Sequence, residues 1–201
     1  MLLKRLFDAV VSTAALLLLS PLFAVAGFAV WLETGRPLFY SQRRIGRHFR
    51  PFTIWKFRSM HHGVGGALLT ASGDPRVTKV GKVIRATKLD ELPQLWNVLR
   101  GDMSLVGPRP EVAQYVDLYR ERFAPILSLR PGITDMASIQ FCREEEVLAN
   151  SPDPLSEYVT TVLPAKLCLA EQYVARRSFG LDLLILAQTV AAILFRREVA
   201  T

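Results

Sequence analysis

Cysteine and histidine are scarce in this chain of 201 residues, which contains two of the first and three of the second. Cys142 and Cys168 lie outside any C-x-x-C or zinc-ligand spacing, and His48, His61 and His62 are not spaced as metal ligands either. The pattern argues against a zinc site. It favours two ordinary thiols in a reducing compartment, although it does not exclude a disulfide.

Internal repeats, low-complexity tracts and a recognisable linker are also missing, so the length indicates one catalytic unit of ordinary size. Acidic residues are outnumbered, with 18 Asp and Glu against 25 Lys and Arg, and the formal net charge is +7. Half of the residues are apolar. These values suggest an anionic partner, and composition leaves open nucleic acid, acidic lipid head groups and phosphorylated substrates.

What the chain does have is a charge-free run of 24 residues between Asp8 and Glu33. As one helix it would be about 36 Å long, enough for a hydrocarbon core of roughly 30 Å. Three interpretations compete: a secretory signal peptide, a spanning anchor and a re-entrant hairpin. The run continues past the cleavage-like Ala24-Val25-Ala26 as far as Leu32, which argues against the signal peptide.

Ser20-Pro21 lies in the middle of this run and separates the two remaining interpretations. Proline lacks the N–H of a helical residue, so it breaks or kinks the helix, and Ser20 can satisfy a carbonyl that the break frees. Basic residues flank both ends of the run, which places both flanks in the cytoplasm by the positive-inside tendency. The sequence therefore favours a re-entrant helix-break-helix over a spanning helix. The flanking basic residues are Lys4, Arg5, Arg36, Arg43, Arg44 and Arg47.

The rest of the chain predicts a mostly helical α+β fold with a small strand region. Alternating apolar and basic residues from 37 to 60 indicate short strands around Ile45-Gly46-Arg47, with arginines that can contact lipid head groups. Glycine and small residues from 61 to 73 indicate a loop. Helical spacing predicts helices at about 78–100, 111–123 and 154–177, and an interfacial or buried helix at 181–195.

Candidate chemistry concentrates around the adjacent carboxylates Asp90 and Glu91. One interpretation is structural: Asp90 caps a helix that begins near Pro93, and Glu91 favours its positive end. The other is catalytic, because a carboxylate near cations can attack phosphorus while its neighbour binds a divalent metal. Nearby cations could bind phosphates, and Arg109 is held between two prolines. These cations are Lys56, Arg58, Arg85, Lys88, Arg100 and Arg109.

Several motifs, in this order, resemble those of the bacterial sugar transferases, the small monotopic phosphoglycosyl transferases. Each motif alone is weak evidence, whereas the ordered set covers most of the chain. The motifs are Lys4-Arg5-Leu6-Phe7-Asp8, the run broken at Ser20-Pro21, Lys56-Phe57-Arg58-Ser59-Met60, Leu89-Asp90-Glu91-Leu92-Pro93-Gln94 with Trp96-Asn97, Gly101 to Pro110, and Arg130-Pro131-Gly132-Ile133-Thr134.

The resemblance implies a two-step, magnesium-dependent transfer from a UDP-sugar to undecaprenyl phosphate. Asp90 would attack the β-phosphate, release UMP and form a phosphosugar-aspartyl intermediate that the lipid phosphate then attacks. Glu91 would bind Mg²⁺. The substrate-binding candidates are Lys56, Arg58, Arg85, Gln94 and Arg109.

The resemblance also implies an arrangement at the bacterial inner membrane. Residues 1–35 would form the re-entrant membrane helix, and residues 36–201 a membrane-associated catalytic domain on the cytoplasmic face. The expected partners are UDP-sugar, undecaprenyl phosphate and membrane lipids, without nucleic acid. A homodimer, the identity of the sugar and the glycan pathway stay open.

The sequence departs from the family pattern at Asp135, where glycine is frequent, and between Gln140 and Asn150, where no role is assigned. The acidic residues 144–146 are expected to form a solvated face. Three other functions stay open: a catalytically silent membrane scaffold of the same fold, a basic membrane-associated nucleic-acid binder, and a membrane hydrolase of nucleotide sugars.

Overall fold

A computed structural model describes residues 2–61, 69–70 and 72–195 of the chain. It is mostly helical with two small sheets, which confirms the expected α+β class. The strands are β1 (Phe39–Ile45), β2 (Pro51–Phe57), β3 (Ser104–Val106) and β4 (Gly132–Thr134). The helices are α1 (Leu2–Leu18), α2 (Ser20–Thr34), α3 (Lys79–Ala86), α4 (Gln94–Arg100), α5 (Ala113–Leu118), α6 (Arg120–Ile126), α7 (Met136–Gln140), α8 (Glu144–Ala149), α9 (Pro154–Glu157), α10 (Leu163–Arg176) and α11 (Phe179–Phe195).

The apolar run is a bent pair of helices, with a 62° angle between α1 and α2. Pro21 cannot donate to the carbonyl of Leu17, four residues earlier, so that carbonyl would lose its helical partner. The hydroxyl of Ser20 donates to it instead at 2.8 Å, which confirms the predicted kink and its compensation. In the described part of the chain, no single helix has the length and apolar character to cross a membrane, whereas this bent pair has both.

The first turns of α1 are held against the centre of the molecule by polar contacts. The guanidinium of Arg5 donates to the carbonyls of Val98 and, at 2.6 Å, Leu99, which belong to the last turn of α4. The buried carboxylate of Asp8 accepts from the Ser104 hydroxyl at 2.8 Å. The motif around Lys4 to Asp8 therefore connects α1 to the segment that follows Asp90 and Glu91.

Two glycines explain why the Gly-Pro-Arg-Pro and Arg-Pro-Gly segments meet. Strands β3 and β4 are parallel neighbours, with Ser104 opposite Gly132. A Cβ on Gly132 would lie 2.2 Å from the backbone nitrogen of Gly107, so no side chain fits there. The sequence did not reveal this pairing, because strands of three residues show no alternation.

The other strands form the predicted antiparallel hairpin, in register from Phe39–Phe57 to Ile45–Pro51. The predicted helices are present but divided into shorter pieces. The segment at 78–100 forms α3 and α4 with a 3-10 turn between them, that at 111–123 forms α5 and α6, and that at 154–177 forms α9, a π-helical turn and α10. The loop predicted at 61–73 lies largely outside the described residues.

Candidate active site

The carboxylates Asp90 and Glu91 lie on a 3-10 turn, Leu89–Glu91, between α3 and α4. Lys88, which precedes this turn, has a left-handed backbone conformation with φ 57°. Helix α4 begins only at Gln94, and its N-cap position is Pro93, without a capping side chain. The interpretation of Asp90 as a helix cap is therefore wrong. The turn instead buries both carboxylates, with 6% and 9% exposure.

Glu91 is held by two cations that come from distant parts of the chain. Lys56, on β2, places Nζ 2.7 Å from Oε1 of Glu91. Arg109, in the loop after β3, places Nη2 2.6 Å from the same oxygen and Nη1 3.4 Å from Oε2. Burial favours the neutral acid, but the charges of Arg109 and Lys56 outweigh it and hold the pKa of Glu91 well below its usual range.

Asp90 has a different environment from its neighbour. Burial raises the pKa of Asp90, the charge of Lys56 lowers it in part, and the charge of Glu91 raises it further. Within the described residues, Glu91 forms ion pairs and Asp90 forms none. The turn thus presents one firmly held anion beside a second carboxylate that is more basic and not engaged by a cation.

Arg109 is positioned by its backbone as well as by its side chain. Its backbone N–H donates to the carboxylate of Asp135 at 3.1 Å. The other oxygen of Asp135 accepts from the backbone of Ser138 at 2.6 Å and caps α7. The aspartate at this position, which the sequence left without a function, therefore links the Arg109 loop to a helix. A search of the sequence for N-cap residues could have predicted that Asp135 caps α7, but not that it binds the Arg109 backbone.

Arg85 lies near the carboxylates but is paired elsewhere. Its charge lowers the pKa of Asp90, while its guanidinium contacts Glu145 on α8. Glu144, the preceding residue, forms an ion pair with Lys166. The expectation of a solvated acidic face at residues 144–146 is therefore wrong for Glu144, which is half-buried against Lys166, and is confirmed for Glu145 and Glu146, which are exposed. The partners of Glu144 and Glu145 lie about 20 to 60 residues away in the sequence, so local pattern could not reveal them.

The structure does not bring Arg58 to the carboxylates. Its buried guanidinium donates to the carbonyls of Thr34 at 2.8 Å and Gly35 at 2.7 Å. These are acceptors at the end of α2, where helix carbonyls lack internal partners. Substrate binding by Arg58 has no support in this geometry, because the residue closes the C-terminus of α2.

Gln94 and Asn97 lie on α4 directly below the turn, and both are 1% exposed. Asn97 joins α4 to β2, because its amide donates to the Thr53 carbonyl at 2.7 Å and accepts from the Trp55 backbone at 3.2 Å. Gln94 has a different status: its Nε2 is buried without a hydrogen-bond partner among the described residues. A buried amide with a free donor is uncommon in proteins.

A second buried network lies beside the site and was not predicted. Glu111 accepts from Arg44 at 3.1 Å and from the hydroxyl of Tyr158 at 2.7 Å. Arg47 donates to the carbonyl of Ser128 at 2.9 Å. The sequence predicted contact with lipid head groups for these arginines; Arg44 and Arg47 have protein partners in this structure, and their contact with lipid stays a prediction. Both join the β1–β2 hairpin to the segments that contain Glu111 and Ser128.

In the part of the chain that the structure describes, no three His, Cys, Asp or Glu residues converge as metal ligands. The site consists of two carboxylates and two cations. Such a set suits phosphoryl chemistry, in which positioning and neutralisation of charge supply most of the catalysis. It can hold anionic oxygens at Lys56 and Arg109 and present Asp90 to a phosphorus atom.

Comparison with known proteins agrees with this chemistry. A family model described as "Bacterial sugar transferase" matches residues 1–196. The uncharacterized sugar transferase EpsL of Bacillus subtilis is 42% identical over 201 residues, 96% of this chain and 88% of its own length.

Two relatives whose names state an activity match over a smaller share of their own length. A UDP-glucose:undecaprenyl-phosphate glucose-1-phosphate transferase of Caulobacter vibrioides is 43% identical over 70% of this chain and 54% of its own. A UDP-N-acetylgalactosamine-undecaprenyl-phosphate N-acetylgalactosaminephosphotransferase of Aeromonas hydrophila is 44% identical over 68% of this chain and 33% of its own. These matches therefore span about half and a third of those relatives. From the matched residues and these identities, the chain belongs to the bacterial sugar transferase family of phosphoglycosyl transferases.

Proposed function

We propose that this protein transfers a sugar 1-phosphate from a UDP-sugar to undecaprenyl phosphate and releases UMP, as the first membrane step of a bacterial glycoconjugate pathway. The observation that carries the proposal is the contrast within the Asp90–Glu91 pair. Glu91 is held as an anion by Lys56 and Arg109, while burial makes Asp90 more basic. The names of the relatives supply the substrate classes, a UDP-sugar and undecaprenyl phosphate.

In the first step, an oxygen of Asp90 attacks the β-phosphorus of the UDP-sugar. A bond forms between this oxygen and phosphorus, and the bond from phosphorus to the bridging oxygen breaks, so that UMP leaves with that oxygen. The carboxylate must be deprotonated to attack, and a raised pKa makes the deprotonated form a stronger nucleophile. Lys56 and Arg109 are placed to bind the phosphate oxygens on which negative charge accumulates.

In the second step, an oxygen of the lipid phosphate attacks the phosphorus of the aspartyl intermediate. The bond between phosphorus and Asp90 breaks, the carboxylate returns, and the product leaves as lipid diphosphosugar. Both steps move the same phosphoryl group between anionic oxygens, so one pair of cations serves both. Because the same cations act in both steps, the site needs few residues besides those of the 3-10 turn.

The residues fit a magnesium ion that arrives with the diphosphate, and they do not form a complete site without it. Magnesium usually takes one or two carboxylates, with the remaining ligands from water and substrate phosphates. Glu91 would be the protein ligand, and the ion would neutralise charge on the diphosphate. Both Glu91 oxygens are engaged by Lys56 and Arg109 in this structure. These cations can turn to the phosphate oxygens once the diphosphate is bound.

We also propose that α1 and α2 enter and leave the cytoplasmic leaflet as a re-entrant pair, with residues 36–201 on the cytoplasmic face of the inner membrane. The 62° bend and the basic residues on both flanks support this arrangement. Exposed apolar side chains along the pair offer a surface for lipid. They include Leu3, Leu6, Val10, Leu17, Leu18, Val25, Phe28 and Leu32.

The proposal is tested with purified protein, undecaprenyl phosphate, magnesium and a panel of UDP-sugars that carry label in the sugar. The expected result is labelled lipid that one donor produces, with equal release of UMP and no product from Asp90→Asn. Release of UMP over many turnovers without the lipid, beyond the one equivalent that accompanies formation of the aspartyl intermediate, would instead identify a nucleotide-sugar hydrolase. Absence of both products with every donor would favour a silent scaffold.

A further inference from the structure

The amide of Gln94 is a buried polar group to which the mechanism assigns no function. The residue is 1% exposed, and its Nε2 has no hydrogen-bond partner among the described residues. Asn97, on the same helix and equally buried, bonds through both polar atoms of its amide, to the Thr53 carbonyl and the Trp55 backbone N–H. A buried donor without an acceptor destabilises the folded state, so a donor that is kept in this condition suggests a function.

The backbone directs Gln94 toward the two carboxylates. Leu92 and Pro93 both have right-handed helical φ and ψ, so the 3-10 turn continues into α4 without a break. Gln94 therefore lies three residues after Glu91 and four after Asp90 on one helical path, a spacing that places side chains on the same face. Helical side chains also point back toward the start of the helix. The long side chain of Gln94 thus extends toward the turn that carries both carboxylates.

Of these two carboxylates, only Asp90 lacks donors. Both oxygens of Glu91 accept from cations, Oε1 from Lys56 and Arg109 and Oε2 from Arg109. Asp90 is 6% exposed, and within the described residues its side chain forms no ion pair and no hydrogen bond with another side chain. A buried donor without an acceptor and a buried acceptor without a donor therefore lie one helical turn apart.

Burial also separates Gln94 from the residues that are placed to receive the diphosphate. The side chains of Lys56 and Arg109 keep 23% and 34% of their surface exposed, whereas Gln94 is almost completely enclosed. A UDP-sugar that arrives from solvent meets these two cations first. This geometry favours contact of Gln94 with Asp90 over direct contact with the donor substrate.

We propose that the Gln94 amide donates a hydrogen bond to Asp90 in the covalent intermediate, to the carboxyl oxygen that is not bonded to phosphorus. The inference rests on the proposed function and extends it by naming a catalytic residue for the second step. In that step the bond between phosphorus and Asp90 breaks, its electron pair returns to the carboxylate, and negative charge spreads over both oxygens. The amide keeps its proton and stabilises this charge as it develops. In the resting protein Nε2 is not bonded to Asp90, so the carboxylate keeps the basicity that the first step needs.

The first test compares the stability of Gln94→Met, which keeps the length of the side chain and removes its polar atoms, with that of the wild type. Because the lost donor is unpaired in the resting protein, the unfolding temperature should rise or stay at the wild-type value. Asn97→Leu is the matched control, with the same 1% exposure on the same helix. It should lower the unfolding temperature, because it leaves the Thr53 carbonyl and the Trp55 N–H without these bonds. A lowered unfolding temperature in both Gln94→Met and Gln94→Leu would overturn the proposal, since it would show that the amide has a structural partner.

The second test follows the two steps separately by intact mass. Protein that carries the sugar phosphate is prepared with magnesium and the UDP-sugar found in the donor panel, separated from that donor, and mixed with undecaprenyl phosphate. Gln94→Met should form the adduct at a nearly unchanged rate and lose it to lipid about 10- to 100-fold more slowly than wild type, the effect of one hydrogen bond to a charged group. During turnover with both substrates, more of the variant than of the wild type should therefore carry the adduct.

Two kinetic results would overturn the proposal. A raised KM for the UDP-sugar with unchanged loss of the adduct would assign Gln94 to donor binding. Equal slowing of both steps would show a general change in the shape of the site, because a residue that acts on the leaving carboxylate affects the second step selectively.

The proposed function and this inference fail in different ways. A wild-type protein that transfers sugar phosphate to lipid without ever carrying the adduct would reject the aspartyl intermediate, and with it the function of Gln94. A wild type that forms and loses the adduct, together with a folded Gln94→Met that does so at the same rates, would reject only the function of Gln94 and leave the proposed transfer intact.

Discussion

Asp90 and Glu91 are adjacent in the chain, yet the fold treats their charges in opposite ways. Glu91 has two cationic partners within 2.7 Å, and Asp90 is buried without an ion pair in the described structure. Burying an anion without a partner destabilises the folded state, while a well-paired anion is retained. The pair should therefore respond to substitution in opposite directions.

Asp90→Asn is expected to abolish transfer and to raise the unfolding temperature near neutral pH. The folded pKa of Asp90 is raised, so this residue favours folding at low pH and its contribution is lost as the pH rises through that pKa. Asparagine does not ionise, so the variant does not lose this stability as the pH rises. The gain should disappear below pH 3.8, the ordinary aspartate value, where the carboxyl is neutral in both states. An unfolding temperature lowered near neutral pH would show that the carboxylate is stabilised by partners.

Glu91→Gln is expected to destabilise the protein by about 1–3 kcal/mol near neutral pH, because it leaves Lys56 and Arg109 without their counterion. The folded pKa of Glu91 is lowered, so its contribution is present above the ordinary value of 4.5 and is lost as the pH falls through the folded pKa. Denaturant unfolding over this range measures it. The exposed Glu121→Gln is the control, and equal stability of both variants would contradict the prediction.

At this scale the sequence predicted which residues matter better than it predicted their contacts. The Asp90–Glu91 pair with Lys56 and Arg109 could be named from their motifs, and the fold brings all four together. Arg58 and Arg85 could not be placed, because their partners Thr34 and Glu145 lie far along the chain. The sequence alone does not distinguish an arginine that binds phosphate from one that donates to the carbonyls at the end of a helix.

At the scale of elements, the break between α1 and α2 is the feature with the clearest local cause. Pro21 removes the N–H that would bond to Leu17, and Ser20 supplies a hydroxyl in its place. This feature could be predicted because cause and effect lie within five residues. The β3–β4 pair could not, since it depends on a close approach of Gly107 and Gly132 from separate segments.

Pro21→Ala should restore the missing N–H and favour one straight helix long enough to cross a membrane. The N-terminus would then move to the opposite side of the membrane in a fraction of the molecules. A single cysteine at position 2, in a background with Cys142 and Cys168 replaced by serine, reports the side by its reactivity in intact cells. Ser20→Ala keeps the proline and should leave the N-terminus on the same side of the membrane as in the wild type. External labelling of the wild type would contradict the re-entrant arrangement.

At the scale of the whole molecule, the first and last helices are joined by a buried charge. Asp182 on α11 accepts from Lys4 at 2.6 Å and from the hydroxyl of Tyr173 at 2.6 Å, and Lys4 also donates to the Val106 carbonyl. These contacts join α1, β3, α10 and α11 around one point. The long sequence separation explains why the sequence alone suggested only a basic flank and an interfacial or buried helix.

Asp182→Asn should lower the stability of the whole protein by about 1–3 kcal/mol, because it leaves the ammonium of Lys4 without its counterion. Lys4→Gln should have a similar effect, and the double variant should lose less than the sum of the two. Thermal unfolding in one detergent measures all four proteins. Additive losses would mean that the two residues act independently.

The most direct test of the central claim is the intact mass of the protein after exposure to UDP-sugar and magnesium without acceptor. The account predicts an added mass of one sugar phosphate, located on Asp90 by peptide mapping, absent from Asp90→Asn and removed by undecaprenyl phosphate with formation of lipid diphosphosugar. Transfer to lipid by a protein that never carries this mass, or an adduct on another residue, would contradict Asp90 as the nucleophile.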